Sequence, residues 1–120
     1  MSRYRILIIP GMGCSPVRRC NWYDWLEKDL SKRNFDVILE EMPDAYAARE
    51  SYWVPFIRDT LKVDKNTILI GHSSGCQAIM RLIEKDKVHG VILVAACHTD
   101  LGVEQERASE YYNRPWLVFF

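Results

Sequence analysis

A serine between two glycines is the residue of this chain best suited to chemistry. The segment Gly71–Gly75 reads GHSSG and fits the pattern G-x-S-x-G, with Ser73 at its centre. The stretch before it, Thr67–Ile70, is β-branched or apolar and predicts a buried strand. The apolar residues after it recur at helical spacing. A strand, a sharp turn and a helix in this order are the setting of a nucleophile elbow, in which a serine hydroxyl attacks a carbonyl carbon.

The two glycines of this motif follow from the tightness of such a turn. A Cβ atom at position 71 or 75 would crowd the adjoining strand or helix. Ser73 would then lie at the carboxyl edge of the sheet, at the N-terminus of a helix whose free N–H groups stabilise a developing oxyanion. Chance matches to the pattern are common, and the flanking elements favour the catalytic interpretation over a plain turn.

A second glycine-rich turn, Pro10–Gly13, follows the first predicted strand. Its backbone N–H groups could face a ligand, but neither the phosphate-loop pattern nor the dinucleotide-binding fingerprint is present. We therefore predict that Gly11 and Met12 contribute to an oxyanion hole together with the N–H group of Ser74. An ordinary connection between a strand and a helix is the alternative.

A serine nucleophile needs a base, and the chain contains three histidines. His72 precedes Ser73 within the turn, so its side chain should point away from the serine and serve packing. His89 is expected at the amino end of the sheet, opposite the site. His98 follows the last predicted strand with Asp100 nearby, which makes a substitute Ser73–His98–Asp100 relay one hypothesis and a solvated loop histidine the other.

Composition excludes several classes of function. The chain has 120 residues, enough for one domain (1–120), and its Lys+Arg and Asp+Glu counts are both 16. No basic stripe indicates nucleic-acid binding, and no polybasic cluster indicates a membrane surface. The basic start Met1–Arg5 is followed by a short apolar run, so neither a signal peptide nor a membrane span is expected.

The cysteines show no paired spacing. Because Cys14, Cys20, Cys76 and Cys97 form no C-x-x-C motif and the histidines are not clustered, we expect reduced thiols and no metal or cofactor. Reduced thiols predict a cytoplasmic protein, with the nucleus as a further compartment.

Strand and helix patterns alternate along the chain. Strands are predicted at Tyr4–Ile9, Asp36–Glu40, Asn66–Ile70 and Val88–Ala95, and helices at Asn21–Lys32, Ala45–Leu61, Ser74–Lys85 and Glu104–Asn113. Pro55 should either begin the main part of the second helix or kink it. This alternation predicts an α/β fold with a parallel sheet and right-handed crossovers.

Apolar residues at helical spacing define the predicted buried helix faces. They are Trp22, Trp25, Leu26 and Leu30 in the first helix, and Tyr52, Trp53, Phe56, Ile57 and Leu61 in the second. Trp22, Trp53 and Trp116 could equally line a pocket for an apolar or aromatic acyl group.

Further motifs give the chain a family resemblance. They are Ile9-Pro10-Gly11, Trp22-Tyr23-x-Trp25, Met42-Pro43-Asp44, the stretch 48–56 (ARESYWVPF), the elbow, the stretch 100–111 (DLGVEQERASEY) and Arg114-Pro115-Trp116. Together they resemble the retinoblastoma-binding protein 9 family of small serine hydrolases with a minimal α/β-hydrolase fold, over the chain from Ile6 to Trp116. The resemblance implies acyl transfer from a small ester or amide to Ser73. It also implies an oxyanion hole made by the Ser74 amide and the Gly11–Gly13 loop, and a three-layer sandwich with strand order 2-1-3-4.

The chain departs from that family in three ways, of which the different C-terminal stretch Leu117–Phe120 is considered below with the last strand. The family continues through two further strands, which are followed by the triad acid and the triad histidine, and neither position has a counterpart here. The resemblance thus implies a truncated α/β-hydrolase-like domain, weak or inactive as a hydrolase; a non-catalytic binding or regulatory protein that pairs with another chain is the alternative. The family's L-x-C-x-E motif is replaced in Leu61–Lys65, so binding to the retinoblastoma pocket is not expected.

The last predicted strand has a consequence for association. Val91–Ala95 is apolar throughout and suits a strand buried on both faces. Without a further strand beside it, the edge of strand 88–95 would be open to self-association. Leu117–Phe120, which does not match the family's continuation, could instead fold back over that edge.

Overall fold

A computed structural model describes residues 4–117 of the chain. Its strands are β1 (Arg5–Ile9), β2 (Asp36–Ile38), β3 (Thr67–His72) and β4 (Gly90–Val94), and its α-helices are α1 (Tyr23–Lys32), α2 (Glu50–Pro55), α3 (Ser74–Leu82) and α4 (Glu104–Ala108). A 3₁₀ turn at Val17–Arg19 precedes α1, and a π-helical turn at Phe56–Thr60 follows α2. In this part of the chain, no helix is both long and apolar enough to cross a membrane.

The sheet has the order β2-β1-β3-β4, and every neighbouring pair is parallel. Arg5 of β1 is in register with Thr67 of β3, and Ile68 of β3 with Gly90 of β4. The predicted α/β class and the order 2-1-3-4 are therefore confirmed. Because all strands run the same way, β1 and β3 end at the same edge of the sheet.

Helices cover both faces of β1, which gives the predicted three layers. Leu7 and Ile9 point into one core with residues of α2 and α3 such as Trp53. Ile8 points the other way and packs against Tyr23 of α1. Since alternate residues of a strand face opposite sides, an unbroken apolar strand is what this central position requires.

The buried face of α1 differs from the predicted one. Trp25 is 67% exposed, whereas Tyr23 is wholly buried. Residues two apart on a helix lie on nearly opposite faces, so turning Tyr23 toward β1 necessarily turns Trp25 toward solvent. Trp22 and Leu26 of the predicted face do pack against the core with Tyr23, so the prediction was wrong at Trp25 and omitted Tyr23.

The predicted helix Ala45–Leu61 is shorter in the structure and begins at Glu50. Asp44 and Ala48 have φ angles of 49° and 52°, which a right-handed helix cannot contain. The carboxylate of Asp44 also accepts hydrogen bonds from the backbone N–H and Nε of Arg49, at 3.0 and 2.9 Å. The segment before Glu50 is thus fixed as a turn.

Around Pro55, the same helix changes type. Pro55 is the last residue of α2, and the chain continues as the π-helical turn, with Leu61 N–H donating to the carbonyl of Phe56 at 3.0 Å. A proline lacks the N–H group that an α-helix needs, which favours such a change of winding. Trp53 is buried as predicted, but Tyr52 is 49% exposed and lies outside the core.

The strand predicted at Val88–Ala95 is β4, and it is not buried on both faces. Val91 and Leu93 pack against the core, while Ile92 and Val94 are 54% and 38% exposed. Within residues 4–117, no strand pairs with the outer edge of β4. The backbone N–H of Leu117 instead donates to Glu84 at 2.9 Å, and the rest of the segment predicted to fold back, 118–120, lies outside the described residues.

Arg81 of α3 joins the helix to the stretch 111–116. Its side chain is wholly buried and forms an ion pair with Glu84 at 2.8 Å. Its guanidinium group also donates to three backbone carbonyls, those of Tyr111, Arg114 and Pro115, at 2.5 to 3.1 Å. We call this arrangement the Arg81 cluster.

Candidate active site

Ser73 lies at the junction of β3 and α3 in a strained backbone conformation. Its φ and ψ angles are 52° and −118°, a region that costs a residue with a side chain about 1–3 kcal/mol. Hydrogen bonds hold the turn on both sides, from Ser73 N–H to the Val94 carbonyl and from Cys76 N–H to the Ser73 carbonyl, each at 2.9 Å. The side chain is partly exposed. This is the geometry of a nucleophile elbow.

The glycines of the elbow allow close approach of backbone to backbone. A Cβ atom on Gly75 would lie 2.3 Å from the carbonyl oxygen of Ile9 and 2.6 Å from that of Pro10. One on Gly71 would lie 2.6 Å from Cδ1 of Ile79. The predicted crowding is confirmed, and it identifies the central strand β1 as the neighbour that Gly75 must accommodate.

The turn Pro10–Gly13 lies directly against the nucleophile. A Cβ atom on Gly11 would be 3.3 Å from the Cβ of Ser73. The N–H of Gly11 does not face the site, because it donates to the hydroxyl of Tyr23 at 3.0 Å. The turn can therefore supply an oxyanion donor only from a residue other than Gly11.

Two of the predicted donors have N–H groups available for a ligand. Among the described residues, neither the N–H of Met12 nor that of Ser74 has a hydrogen-bond partner. Met12 belongs to the turn beside Ser73, and Ser74 is the first residue of α3. A helix N-terminus favours negative charge, so the Ser74 N–H suits a tetrahedral oxyanion, and a free backbone N–H such as that of Met12 can donate to the same oxygen.

His72, which directly precedes Ser73, contacts two aromatic side chains at the start of α1. Its Nδ1 atom lies 2.6 Å from the hydroxyl of Tyr23, and its ring centroid lies 5.4 Å from that of Trp22. Burial raises the pKa of the Tyr23 hydroxyl, so it stays protonated at neutral pH. Sequence reasoning missed Tyr23 because the residue was counted only as part of a family motif and not as a buried hydroxyl in need of partners.

The hypothetical His98–Asp100 pair is not joined in this part of the chain. His98 is exposed, and the carboxylate of Asp100 accepts from Gly102 N–H at 2.8 Å and Arg107 Nε at 3.1 Å. These two bonds lower the pKa of Asp100, and the bond from Gly102 has the larger effect. His89 directly precedes β4, at the opposite edge of the sheet from the elbow.

None of these groups reaches the nucleophile itself. The hydroxyl oxygen of Ser73 has no hydrogen-bond partner in residues 4–117, so neither His98 nor Asp100 contacts it by a hydrogen bond. The structure thus places Ser73 against Gly11 and next to Ser74, with Met12 in the same turn as Gly11, and it joins neither the predicted base nor the predicted acid to the nucleophile by a hydrogen bond.

The cysteines do not compete with Ser73. All four are free thiols, and that of Cys76, next to the elbow, donates to the carbonyl of Val94 at 3.2 Å. Burial raises the pKa of Cys76 to about 11, so its nucleophilic thiolate form is scarce at neutral pH. Within the described residues, no group of three or more His, Cys, Asp and Glu side chains could hold a metal ion.

The tryptophans have separate surroundings. Trp53 is wholly buried and donates from Nε1 to the carbonyl of Pro43 at 2.6 Å, so it is a core residue. Trp116 packs over the guanidinium group of Arg81 at 3.7 Å. Trp22 is the tryptophan that lies beside the elbow, next to His72.

A cavity of about 310 Å³ lies on the α2 and α3 side of the molecule. Glu50, Arg58 and Arg114 are among the residues that line it, whereas Ser73 is not. Two arginines of the lining form ion pairs, Arg114 with Glu50 at 2.5 Å and Arg58 with Asp86 at 2.7 Å. The cavity is therefore not the recess around the nucleophile.

Comparison with known proteins agrees with this geometry. A sequence model of the family described as serine hydrolase matches residues 6–115. The chain is 46% identical over 116 residues to Serine hydrolase RBBP9 of Rattus norvegicus, covering 96% of this chain and 62% of the rat protein. It is 31% identical over 100 residues to YdeN of Bacillus subtilis (strain 168), covering 76% of this chain and 50% of that protein.

A solved structure supports the same assignment. The crystal structure of the ydeN gene product from B. subtilis superposes with a TM-score of 0.77 and 27% sequence identity, covering 94% of this chain and 62% of that one. The chain thus spans less than two thirds of the length of these relatives. Because the family model extends over nearly all of the described residues and includes the elbow, the chain belongs to the serine hydrolase family.

Proposed function

We propose that this chain acts as a serine hydrolase and accepts the acyl group of a small ester or amide on Ser73. The observation that carries the proposal is the strained elbow, which presents a hydroxyl without a hydrogen-bond partner in the described residues. The N–H group of Ser74, the next residue, and that of Met12, in the turn that contacts Ser73 through Gly11, have no hydrogen-bond partner in the described residues. Strain of this kind is maintained where a side chain must be held for chemistry.

The proposed reaction is acyl transfer. The Ser73 oxygen attacks the carbonyl carbon, its proton passes to water, and the N–H groups of Met12 and Ser74 bind the oxyanion of the tetrahedral intermediate. Collapse of the intermediate expels the alcohol or amine, which takes a proton from water. Hydrolysis of the ester on Ser73 then releases the acid. Because no side chain in residues 4–117 accepts a hydrogen bond from Ser73 as a base would, each step is slow by several orders of magnitude compared with a complete triad.

A fluorophosphonate probe tests this proposal. We expect slow covalent labelling at Ser73, located by mass spectrometry. The probe needs a nucleophile and an oxyanion hole, but it depends less on a general base than an ester or amide substrate does. Ser73→Ala should abolish the labelling. Ser31→Ala, which removes an exposed serine hydroxyl from α1, should leave it unchanged.

Two results would contradict the proposal or its mechanism. If the unaltered chain is not labelled, Ser73 is not a nucleophile. If labelling is as fast as in hydrolases with a complete triad, the proton has an acceptor that the mechanism omits. In that case His98→Ala identifies His98 as the acceptor by a large loss of rate, whereas an unchanged rate leaves it a loop histidine.

As a second candidate function we propose a non-catalytic role, in which two copies of the chain associate through the edges of β4. It is supported by the exposed side chains of Ile92 and Val94 beside an edge without a strand partner in residues 4–117. The strand carries no charge that would oppose edge-to-edge pairing, and a twofold axis can join two identical edges.

Analytical ultracentrifugation tests this pairing. We expect a concentration-dependent dimer that Ile92→Lys weakens at least tenfold, because a charge on the exposed face disfavours edge association. Leu101→Lys changes an exposed apolar residue outside the strand and should not affect the dimer. A chain that remains monomeric at all concentrations would exclude this candidate.

A further inference from the structure

The hydroxyl of Tyr23 links the two halves of the site. The side chain is wholly buried between α1 and β1. Its oxygen lies 3.0 Å from Gly11 N, 2.6 Å from His72 Nδ1 and 3.7 Å from Cys14 Sγ. One hydroxyl therefore bridges the turn after β1 and the last residue of β3.

The directions of these hydrogen bonds follow from the available protons. A backbone N–H can only donate, so the oxygen of Tyr23 accepts from Gly11. Burial keeps the hydroxyl protonated, which leaves one proton to donate. His72 Nδ1 is much closer than Cys14 Sγ and lies at a normal hydrogen-bond distance. The proton therefore goes to His72, whose ring hydrogen must reside on Nε2.

The bond to Gly11 has a direct effect on the neighbouring amide. Gly11 lies against Ser73, and its N–H is turned inward toward Tyr23. The Gly13 N–H on the other side of Met12 donates to the carbonyl of Ala45 at 2.7 Å, so the bond from Gly11 to Tyr23 is one of two that hold the turn around Met12. Met12 then presents the N–H group that is free for an oxyanion.

We infer that Tyr23 is a positioning residue, whose hydroxyl orients the Met12 N–H for the oxyanion by binding Gly11 and His72. The inference rests on the proposed function of Ser73 and adds a residue outside the elbow and the turn. It differs from a packing role, because the aromatic ring alone would fill the space between α1 and β1. Only the hydroxyl makes the two bonds that link the turn to the elbow.

Tyr23→Phe separates these roles, since it keeps the ring and removes the hydroxyl. We expect the rate of fluorophosphonate labelling at Ser73 to fall about tenfold or more, because a misdirected oxyanion donor costs at least that much. Tyr52→Phe, which removes a hydroxyl from an exposed tyrosine of α2, should label at the unaltered rate. Circular dichroism should confirm that both variants are folded.

Nuclear magnetic resonance adds a readout that does not depend on reactivity. In the unaltered chain, ¹⁵N shifts should show His72 with Nδ1 unprotonated and Nε2 protonated. In Tyr23→Phe, the Nδ1 shift should move and the Gly11 amide should exchange with solvent faster, whereas loss of a hydroxyl that binds neither group would change neither.

The outcomes distinguish this inference from the proposed function. Labelling of the unaltered chain with no change in Tyr23→Phe would overturn the inference alone. A protonated His72 Nδ1, or an equally protected Gly11 amide in the variant, would overturn the hydroxyl bridge whatever the labelling shows. No labelling of the unaltered chain would overturn the proposed function and, with it, the positioning role.

Discussion

Gly75→Ala is expected to destabilise the chain by about 3 kcal/mol or more, an upper-range overpacking effect. The added Cβ would lie 2.3 Å from the carbonyl oxygen of Ile9 and 2.6 Å from that of Pro10. Both are backbone atoms, and Ile9 belongs to the strand that pairs with β2 and β3. Relief would require α3 to move away from β1, which would open the core between them.

Urea unfolding at equilibrium measures this loss as a lower midpoint with an unchanged slope. Gly90→Ala is the matched control, because nothing lies within 4 Å of a Cβ at that position. It should leave the midpoint unchanged or raise it slightly, since alanine restricts the unfolded chain. Equal midpoints for the two variants would show that α3 does not approach β1 as closely as described.

Arg81→Met is expected to cost about 3–5 kcal/mol, the usual result of removing one partner from a buried ion pair. The substitution keeps the apolar length of the side chain but leaves the charge of Glu84 without its closest partner, at a site where Glu84 is 5% exposed. It also removes the donors to the carbonyls of Tyr111, Arg114 and Pro115. The carbonyl of Tyr111 is buried, so the loss of its two donors from Arg81 adds to the cost.

Thermal unfolding and hydrogen exchange together test the role of the Arg81 cluster. Besides a lower Tm, we expect amides in the stretch 111–116 to lose protection, because Arg81 joins this stretch to α3. Arg58→Met is the control: its ion pair with Asp86 is partly exposed and should contribute about 0–1 kcal/mol. A Tm for Arg81→Met within the range of Arg58→Met would contradict a structural role for the cluster.

The sheet order agrees with the order implied by the family resemblance, and the elbow was predictable because its constraints are local. An apolar run followed by G-x-S-x-G restricts the backbone so strongly that few conformations other than the elbow are open to Ser73 and Gly75. Helix faces were less predictable, since a rotation of less than one turn exchanges Tyr23 for Trp25. The start of α2 depended on Ala48 in a left-handed conformation, which no propensity of alanine indicates.

At the site, too, features set by local sequence were predictable and features set by contacts between distant residues were not. The turn Pro10–Gly13 could be placed beside Ser73, because the carboxyl ends of parallel strands meet at one edge of the sheet. Which of its amides faces the nucleophile could not be predicted, since that depends on a hydroxyl of α1. The partners of Asp100 were also beyond sequence reasoning, because Arg107 competes for the carboxylate only once α4 has formed.

The position of β1 in the sheet also has a consequence for synthesis on the ribosome. Its neighbour on one side is β3, with Arg5 opposite Thr67, so β1 cannot complete its pairing until Thr67–His72 has been translated. At about 5–20 residues per second, the apolar strand waits several seconds. During that time β1 depends on β2 or on a chaperone to avoid aggregation. Slower translation between the codons for β2 and β3 should therefore lower the yield of folded protein.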